Sequence, residues 1–272
     1  MVDDVIGVAM CGSSTVELLS YLNTKTNLKK LQYGEDKCVK MHMGPKSQFC
    51  PNLSIDKWKV KQVKCASTGQ FELSEEIVGK HQLKSVDDQK YLGDLLTSSG
   101  TNKLNIAARK TKGLGIISQI KTILNEGYFG RFYFEAALML RKALFLNSCL
   151  LNSEAWYNIT NSDIQQLETV DNNLILSVIL ECPKYTPVCI MFLDLGILPI
   201  RHILKKRRIL FLQYILKQKT DSLLRTFFMS QNEKRLKGDW ASIVEQDLLD
   251  LEIQMSFEQI QSMLKKKQNK LH

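Results

Sequence analysis

The chain has 272 residues, of which 44% are apolar and 24% are charged, and this composition excludes a disordered or low-complexity protein. Its formal net charge is +9, and residues 201–272 alone carry +7, from 15 Lys and Arg against 8 Asp and Glu. A basic region of this kind suits a polyanion such as nucleic acid, or an anionic membrane surface.

The seven cysteines form no CxxC pair, and the four histidines are far apart in the sequence. This pattern excludes a disulfide framework and a Cys/His zinc site, and it indicates reduced thiols. No apolar run reaches the roughly 18 to 20 residues of a membrane span, and acidic residues stand where a secretory signal would be basic. We therefore expect an intracellular protein, nuclear or cytoplasmic and not secreted, without a transmembrane segment.

Residues 1–100 read as mixed α and β, because short segments rich in β-branched residues alternate with turn signals. A helix with an apolar stripe is predicted at residues 14–31. Strands are predicted at residues 5–9, 37–43, 58–65, 77–78 and 91–96. The order of these elements predicts a partial antiparallel sheet with one or two helices. The acidic pair Asp87-Asp88 is assigned to a turn.

The periodicity becomes helical after Ser99-Gly100 and stays helical to the end. Helices are predicted at about residues 101–126, 131–150, 162–180, 187–195, 199–217, 221–230, 240–251 and 256–267. The fold class is therefore α+β, with an α+β part at 1–100, a helical part at 101–200 and a basic helical part at 201–272. Trp58, Trp156 and Trp240 are interpreted as core anchors, and Cys182 and Cys189 as buried thiols.

Two adjacent acids, Asp3 and Asp4, directly precede the apolar segment at residues 5–9. Like charges this close repel each other unless a cation or a proton relieves them, and a divalent metal commonly does so. In two-metal phosphoryl transfer, carboxylates hold the ions on which the attacking and leaving oxygens depend. The alternative is an Asx-turn without a metal.

The segment Met1-Val2-Asp3-Asp4-Val5 resembles the double-aspartate hairpin of a reverse transcriptase palm, with Met1 in place of the usual aromatic residue. Further segments resemble parts of the non-LTR retrotransposon reverse transcriptases in the family's order. They are the stretch around Lys37 (LQYGEDKCVKM), the primer-grip turn Tyr91-Leu92-Gly93-Asp94, and the thumb segments EAW at 154–156, DIQQLE at 163–168 and LGILPI at 195–200. The resemblance covers roughly residues 1–217.

The resemblance implies the late palm, the thumb and the following helices of an RNA-directed DNA polymerase. Asp3 and Asp4 would hold Mg²⁺ and act in catalysis together with Lys37, and Tyr91, Leu92 and Gly93 would contact the primer. The partners would be template RNA, a DNA primer and deoxynucleoside triphosphates. The family's fingers and first palm aspartate have no match here, so we expect a fragment that is inactive alone.

Two groups of cations are candidate nucleic-acid contacts. One lies on the helix predicted at 101–126 and the other on the helix predicted at 199–217. The residues are Lys103, Arg109, Lys110, Lys112, Arg201, Lys205, Lys206, Arg207 and Arg208. Such cations bind phosphates, but a solvated helix face is the alternative, and the second group also suits a membrane surface or a nuclear-import signal. Besides the polymerase, the sequence thus allows a non-catalytic nucleic-acid-binding helical protein or, third, a membrane-surface or partner-binding protein.

Overall fold

The computed structural model describes residues 21, 38–41, 54–64, 71–91, 93–183, 185–234, 238–253, 255–257, 259–260 and 262. The chain divides into two compact units, Met1–Gly100 and Thr101–His272, at the place where the periodicity changes. The strands described lie in the first unit, and the helices described from Lys103 onward lie in the second. The predicted α+β class is confirmed.

The described strands of the first unit pair two by two. They are β1 (Val39–Lys40), β2 (Ser54–Lys64), β3 (Phe71–Gln82), β4 (Lys84–Ser85), β5 (Asp88–Tyr91) and β6 (Asp94–Thr97). β2 and β3 are antiparallel, as are β5 and β6, but β1 and β4 run parallel. One antiparallel sheet was expected. The alternation of apolar and polar residues predicts where strands lie, but it does not predict which strands pair with each other. Of the first predicted strand and helix, only Tyr21 is described, and it is helical.

The strand predicted at residues 91–96 is wrong, because the chain reverses direction inside it. Tyr91 pairs with Asp94, so that Leu92 and Gly93 connect β5 to β6. Gly93 has φ +89°, a conformation that residues with a Cβ rarely adopt. The acidic pair is also divided, since Asp87 lies at a bend while Asp88 begins β5. The amide of Ser98 donates to the carbonyl of Asp87 at 2.7 Å and closes the open end of the hairpin.

Seven helices of seven or more residues lie in the described part of the second unit, together with short 3₁₀ turns and one helical turn at Asn147–Cys149. They are α1 (Lys103–Glu126), α2 (Tyr133–Leu140), α3 (Asn161–Leu174), α4 (Val188–Asp194), α5 (Ile200–Lys217), α6 (Leu223–Lys234) and α7 (Trp240–Asp250). α2 and α3 continue as π-helical turns at Arg141–Leu146 and Ile175–Ile179. Each helix lies within a few residues of its predicted position, and the described residues of the last predicted helix, at 256–267, include helical ones.

The buried face of α1 differs in part from the one that the sequence predicts. An apolar side is predicted at Leu104, Ala108, Ile116, Ile120 and Leu124. Ile116, Ile120 and Leu124 are buried as expected, whereas Leu104 and Ala108 are exposed. Gly113 also belongs to the buried face. A Cβ built there would lie 3.0 Å from Cys149 Sγ and 3.2 Å from Val170 Cγ1, so glycine lets α1 pack closely against two neighbouring segments.

The second unit contains two hydrophobic cores that share α5. Leu204 belongs to the core built from α1 to α4, and Leu212 belongs to the core built with α6 and α7. Residues 101–200 and 201–272 therefore lie in one compact unit. Trp156 is buried in the first core and Trp240 in the second, as expected of core anchors.

The thiols described are free, but their exposure differs. Cys149 is buried, and burial, reinforced by the nearby Asp171 carboxylate, raises its pKa to about 11. Cys182 is half-buried and Cys189 is exposed, so the prediction that both are buried is wrong for Cys189. α4 is a short surface helix, and Cys189 lies on its outer side.

We expect Gly113→Ala to destabilise the helical unit, because the added Cβ would lie 3.0 to 3.2 Å from three core side chains. The cost of such overpacking is about 1–3 kcal/mol. Gly115→Ala is the matched control, since nothing lies within 4 Å of a Cβ there, and a gain of about 0.5–1 kcal/mol is expected. Urea unfolding followed by circular dichroism measures both, and equal effects would contradict the packing described here.

Candidate nucleic-acid interface

The residues expected to carry catalysis, Asp3, Asp4 and Lys37, lie outside the described residues. Within the part of the chain that the structure describes, no three His, Cys, Asp or Glu side chains come together as a metal site would require. The magnesium site therefore remains a prediction attached to Asp3 and Asp4.

The predicted primer contact falls on the tip of the β5–β6 hairpin. Tyr91 ends β5 and is half-buried, Gly93 lies in the turn, and Leu92 is outside the described residues. A hairpin tip with a glycine at positive φ allows another backbone to approach closely, as a primer contact requires. Tyr91 pairs with Asp94 at this tip, and the primer contact remains a prediction.

Arg109 is not a candidate contact, although it was predicted with the other cations of α1. Its side chain lies on the buried face, and the residue is only 4% exposed. Its Nη1 donates to the carbonyl of Ser148 at 2.9 Å, which ties α1 to the end of the helical segment after α2. A charge run in the sequence does not reveal which member points inward, so this prediction is wrong.

The lysines of α1 lie on two different flanks of the helix. Lys103 and Lys110 are seven residues apart, about two turns, and therefore lie on one flank. Lys112 is nine residues from Lys103, about two and a half turns, and lies on the opposite flank. Lys121, which is exposed and eleven residues after Lys110, extends the first flank by about three turns. Lys121 was not among the predicted contacts, although its spacing from Lys103 and Lys110 indicates it.

We call Lys103, Lys110 and Lys121 the lysine row. Lys103 and Lys121 are exposed, and Lys110 is half-buried. The row spans 18 residues, or about 27 Å along the helix axis. Within the described residues, no carboxylate forms a salt bridge with any of the three. Their ammonium groups are therefore available to an anionic partner.

The most basic segment, at residues 201–208, is largely used inside the protein. Arg208 is 3% exposed, and its Nε and Nη2 donate to the two carboxylate oxygens of Asp247 at 2.6 and 3.0 Å. This fork-to-fork pair joins α5 to α7 at the second core. Arg208 was predicted to bind nucleic acid, and this is wrong because its guanidinium is buried and paired with a carboxylate.

Two further cations of α5 form surface pairs. Arg201 donates to both oxygens of Glu168 at 2.8 and 2.7 Å. Partial burial would raise the pKa of Glu168, but the hydrogen bonds and charge of Arg201 outweigh it and lower that pKa. Lys205 pairs with Asp250 and, with a hydrogen bond from Gln246, lowers the pKa of that carboxyl. Both cations are thus already partly neutralised, and the prediction that they bind phosphate loses its support.

Arg207 and Lys206 complete the segment. Arg207 Nη1 donates to the carbonyl of Leu150 and lies 4.0 Å from a carboxylate oxygen of Glu154. Lys206 is exposed and has no ionic partner in the described part of the chain. Of the five cations predicted at residues 201–208, Lys206 alone keeps an uncompensated charge among the described residues.

The thumb-like motifs also supply structural contacts. Asp163 and Thr160 form a capping box at the start of α3, with the amide of Asp163 donating to Thr160 Oγ1 at 3.2 Å. The carbonyl of Glu154 accepts from Trp240 Nε1 at 2.7 Å. The carbonyl of Leu198 accepts from Arg141, which also forms a buried pair with Asp171. These segments therefore hold the helical unit together.

Comparisons with protein-family models, with curated proteins and with solved structures found no match. The family resemblance therefore rests on the motifs quoted above and on their order. Among the described residues, no helix combines the length and the hydropathy that crossing a bilayer requires.

We expect Arg208→Ala to lower the free energy of unfolding by about 3–5 kcal/mol, because it leaves Asp247 buried without its partner. Lys206→Ala is the control two positions away and should change stability by no more than about 0.5 kcal/mol. Chemical denaturation measures both. Replacing both partners, as Arg208→Met with Asp247→Leu, should recover most of the loss, and a double variant as unstable as Arg208→Ala would contradict the pairing.

Proposed function

We propose that this chain is part of an RNA-directed DNA polymerase, the late palm and thumb of a non-LTR retrotransposon reverse transcriptase. The proposal is supported by the order of its motifs and by the hairpin at Tyr91–Asp94, the position of the family's primer-grip turn. A long helix, α1, begins six residues after β6 ends, as a thumb following that turn would. The polymerase would act inside the cell, in the nucleus or the cytoplasm.

In this proposal the residues divide into catalytic and binding groups. Asp3 and Asp4 would hold Mg²⁺, which when bound promotes attack of a primer 3′-hydroxyl on the α-phosphate of a nucleoside triphosphate. Lys37 would protonate the leaving pyrophosphate or orient the incoming triphosphate. Tyr91, Leu92 and Gly93 would position the primer end.

The observation that carries the nucleic-acid part is the lysine row. Its three ammonium groups lie along one flank of α1, whereas four of the five cations at 201–208 are engaged within the protein. A row of about 27 Å matches most of one turn of a duplex, so it suits the sugar-phosphate backbone of a primer–template. Phosphate contacts of this kind are independent of base sequence.

The second candidate is a non-catalytic nucleic-acid-binding helical protein. The lysine row supports this candidate as well, because phosphate binding by the three lysines does not depend on any residue of the palm. In this case template RNA and DNA primer would be bound, but nucleoside triphosphates and Mg²⁺ would have no role.

We expect this chain on its own to give no Mg²⁺-dependent primer extension on an RNA template. The resemblance matches only the adjacent carboxylates Asp3 and Asp4, which offer few of the six oxygens that Mg²⁺ requires. Any extension that does occur should disappear in Asp3→Ala and persist in the control Asp87→Ala, whose acid has no counterpart in the family. Extension that survives Asp3→Ala would show that the catalytic assignment is wrong.

We expect an RNA–DNA primer–template to bind with a salt dependence that reports about three phosphate contacts. Three neutralised phosphates correspond to a slope of roughly −2.7 in log affinity against log salt, or about 40-fold between about 50 and about 200 mM. Each substitution of a row lysine by Gln should reduce the slope by about 1. Fluorescence anisotropy titrations at several salt concentrations measure it.

Lys112→Gln is the matched control for this titration, because it removes the same charge from the opposite flank of α1. Its slope should stay at the parental value. Binding that is insensitive to salt, or equally weakened by Lys112→Gln and Lys110→Gln, would contradict the lysine row as the contact surface.

A further inference from the structure

A run of aromatic residues follows α1 directly and has no part in the function proposed so far. Residues 128–134 read Tyr-Phe-Gly-Arg-Phe-Tyr-Phe, five aromatic residues in seven, and they include the connection from α1 to α2 and the first two residues of α2. We call them the aromatic segment. A connection of this composition is unusual, because turns are normally polar.

Two of the five rings fix the segment to the helical unit. Phe129 packs against the first core, and its ring lies so close over Gly127 that a Cβ there would be 2.1 Å from Phe129 Cε2. The hydroxyl of Tyr133 donates to the carbonyl of Val178 at 2.9 Å, at the π-helical end of α3. The backbone of the segment is therefore held at both ends.

The other three rings face solvent. Tyr128 is fully exposed, Phe132 is 57% exposed and Phe134 is 50% exposed. The guanidinium of Arg131 lies over the ring of Phe132, 4.8 Å from its centroid. Three exposed rings on a segment anchored at both ends form a preorganised surface for a partner.

We propose that the aromatic segment binds single-stranded nucleic acid by stacking unpaired bases on Tyr128 and Phe132. Exposed rings next to an Arg are the composition of stacking platforms for single strands, since every base offers a π-face and the guanidinium can reach a phosphate. In a duplex the faces of the bases are already stacked on neighbouring base pairs, so a duplex offers few bases to these rings.

The position of the segment favours a nucleic acid over other occupants. Lys121, the last member of the lysine row, lies about 9 Å along the helix axis before Gly127. The end of the row and the start of the aromatic segment are thus neighbours along the chain, so that one strand could contact both. Arg131 is the one charged residue in the segment, while Glu126 and Glu135 are exposed on either side of it. These three charges sum to −1, so stacking and not charge supplies the affinity of the segment. The continuity with the row rests on the proposed function, but stacking itself does not.

The test uses the full chain and four fluorescein-labelled probes, namely a 12-nucleotide oligo(dT), a 12-nucleotide oligo(U), a 12-nucleotide abasic strand and a blunt duplex. We expect both base-bearing strands to bind more tightly than the abasic strand, which has the same phosphates. Tyr128→Ala and Phe132→Ala should each weaken this binding by about 5-fold or more, and Phe132→Tyr should restore it. Tyr185→Ala, which removes an equally exposed ring outside the segment, should have no effect.

Three results would overturn the proposal. One is equal affinity for the abasic and the base-bearing strands. Another is a double variant, Tyr128→Ala with Phe132→Ala, that binds single strands like the parent while remaining folded by circular dichroism. The third is self-association in sedimentation velocity that the double variant abolishes, which would assign the rings to a second copy of this chain. The salt titration of the primer–template responds to the row lysines, whereas the single-strand titration responds to the aromatic rings. The proposed function and the stacking proposal can therefore fail independently of each other.

Discussion

The helical unit depends on α5, since one helix supplies buried side chains to two cores. Leu204, Arg208 and Leu212 are spaced four residues apart and lie on the same buried face. Arg208 therefore lies between two core leucines, and its guanidinium must give up its hydration when the helices pack. Asp247 on α7 compensates its charge through two hydrogen bonds, so the second core and this ion pair form together. Removing water from a guanidinium is costly, and the pair holds only because both carboxylate oxygens are aligned with it.

This constraint decides which basic residues remain available to a partner. Residues 201–208 are the densest cationic segment, yet Arg208 is buried, Arg201 and Lys205 pair with carboxylates, and Arg207 donates to a main-chain carbonyl. α1 spreads its five cations over 24 residues, but three of them share a flank that the fold leaves open. Net charge is thus a poor guide to where a polyanion binds. The number of charges without an internal partner is the better measure.

Much of the fold could be predicted from the sequence, because helical periodicity is a local property. α5 was expected at residues 199–217 and is found at Ile200–Lys217, but Arg208 was expected among its exposed cations and lies on the buried face with Leu204 and Leu212. Its partner is 39 residues away and on another helix, so no local pattern identifies it. Arg109 shows the same limit, since its acceptor is the main-chain carbonyl of Ser148, which side-chain patterns do not reveal. The turn at Gly93 was expected from the resemblance alone, because the apolar residues before and after Gly93-Asp94 were interpreted as a single strand at 91–96.

The motifs of the helical unit are better explained by the fold than by chemistry. Asp163 caps α3, Glu168 pairs with Arg201, and the carbonyls of Glu154 and Leu198 accept from Trp240 and Arg141. Each of these residues is engaged by another part of the same unit. The likeness of residues 154–200 to a polymerase thumb is a likeness of sequence motifs, and in this structure those residues serve the packing of the unit. In the proposed enzyme the chemistry would rest on Asp3, Asp4 and Lys37. Contacts with nucleic acid would rest instead on α1 and the segment after it, where charged and aromatic side chains are left facing solvent.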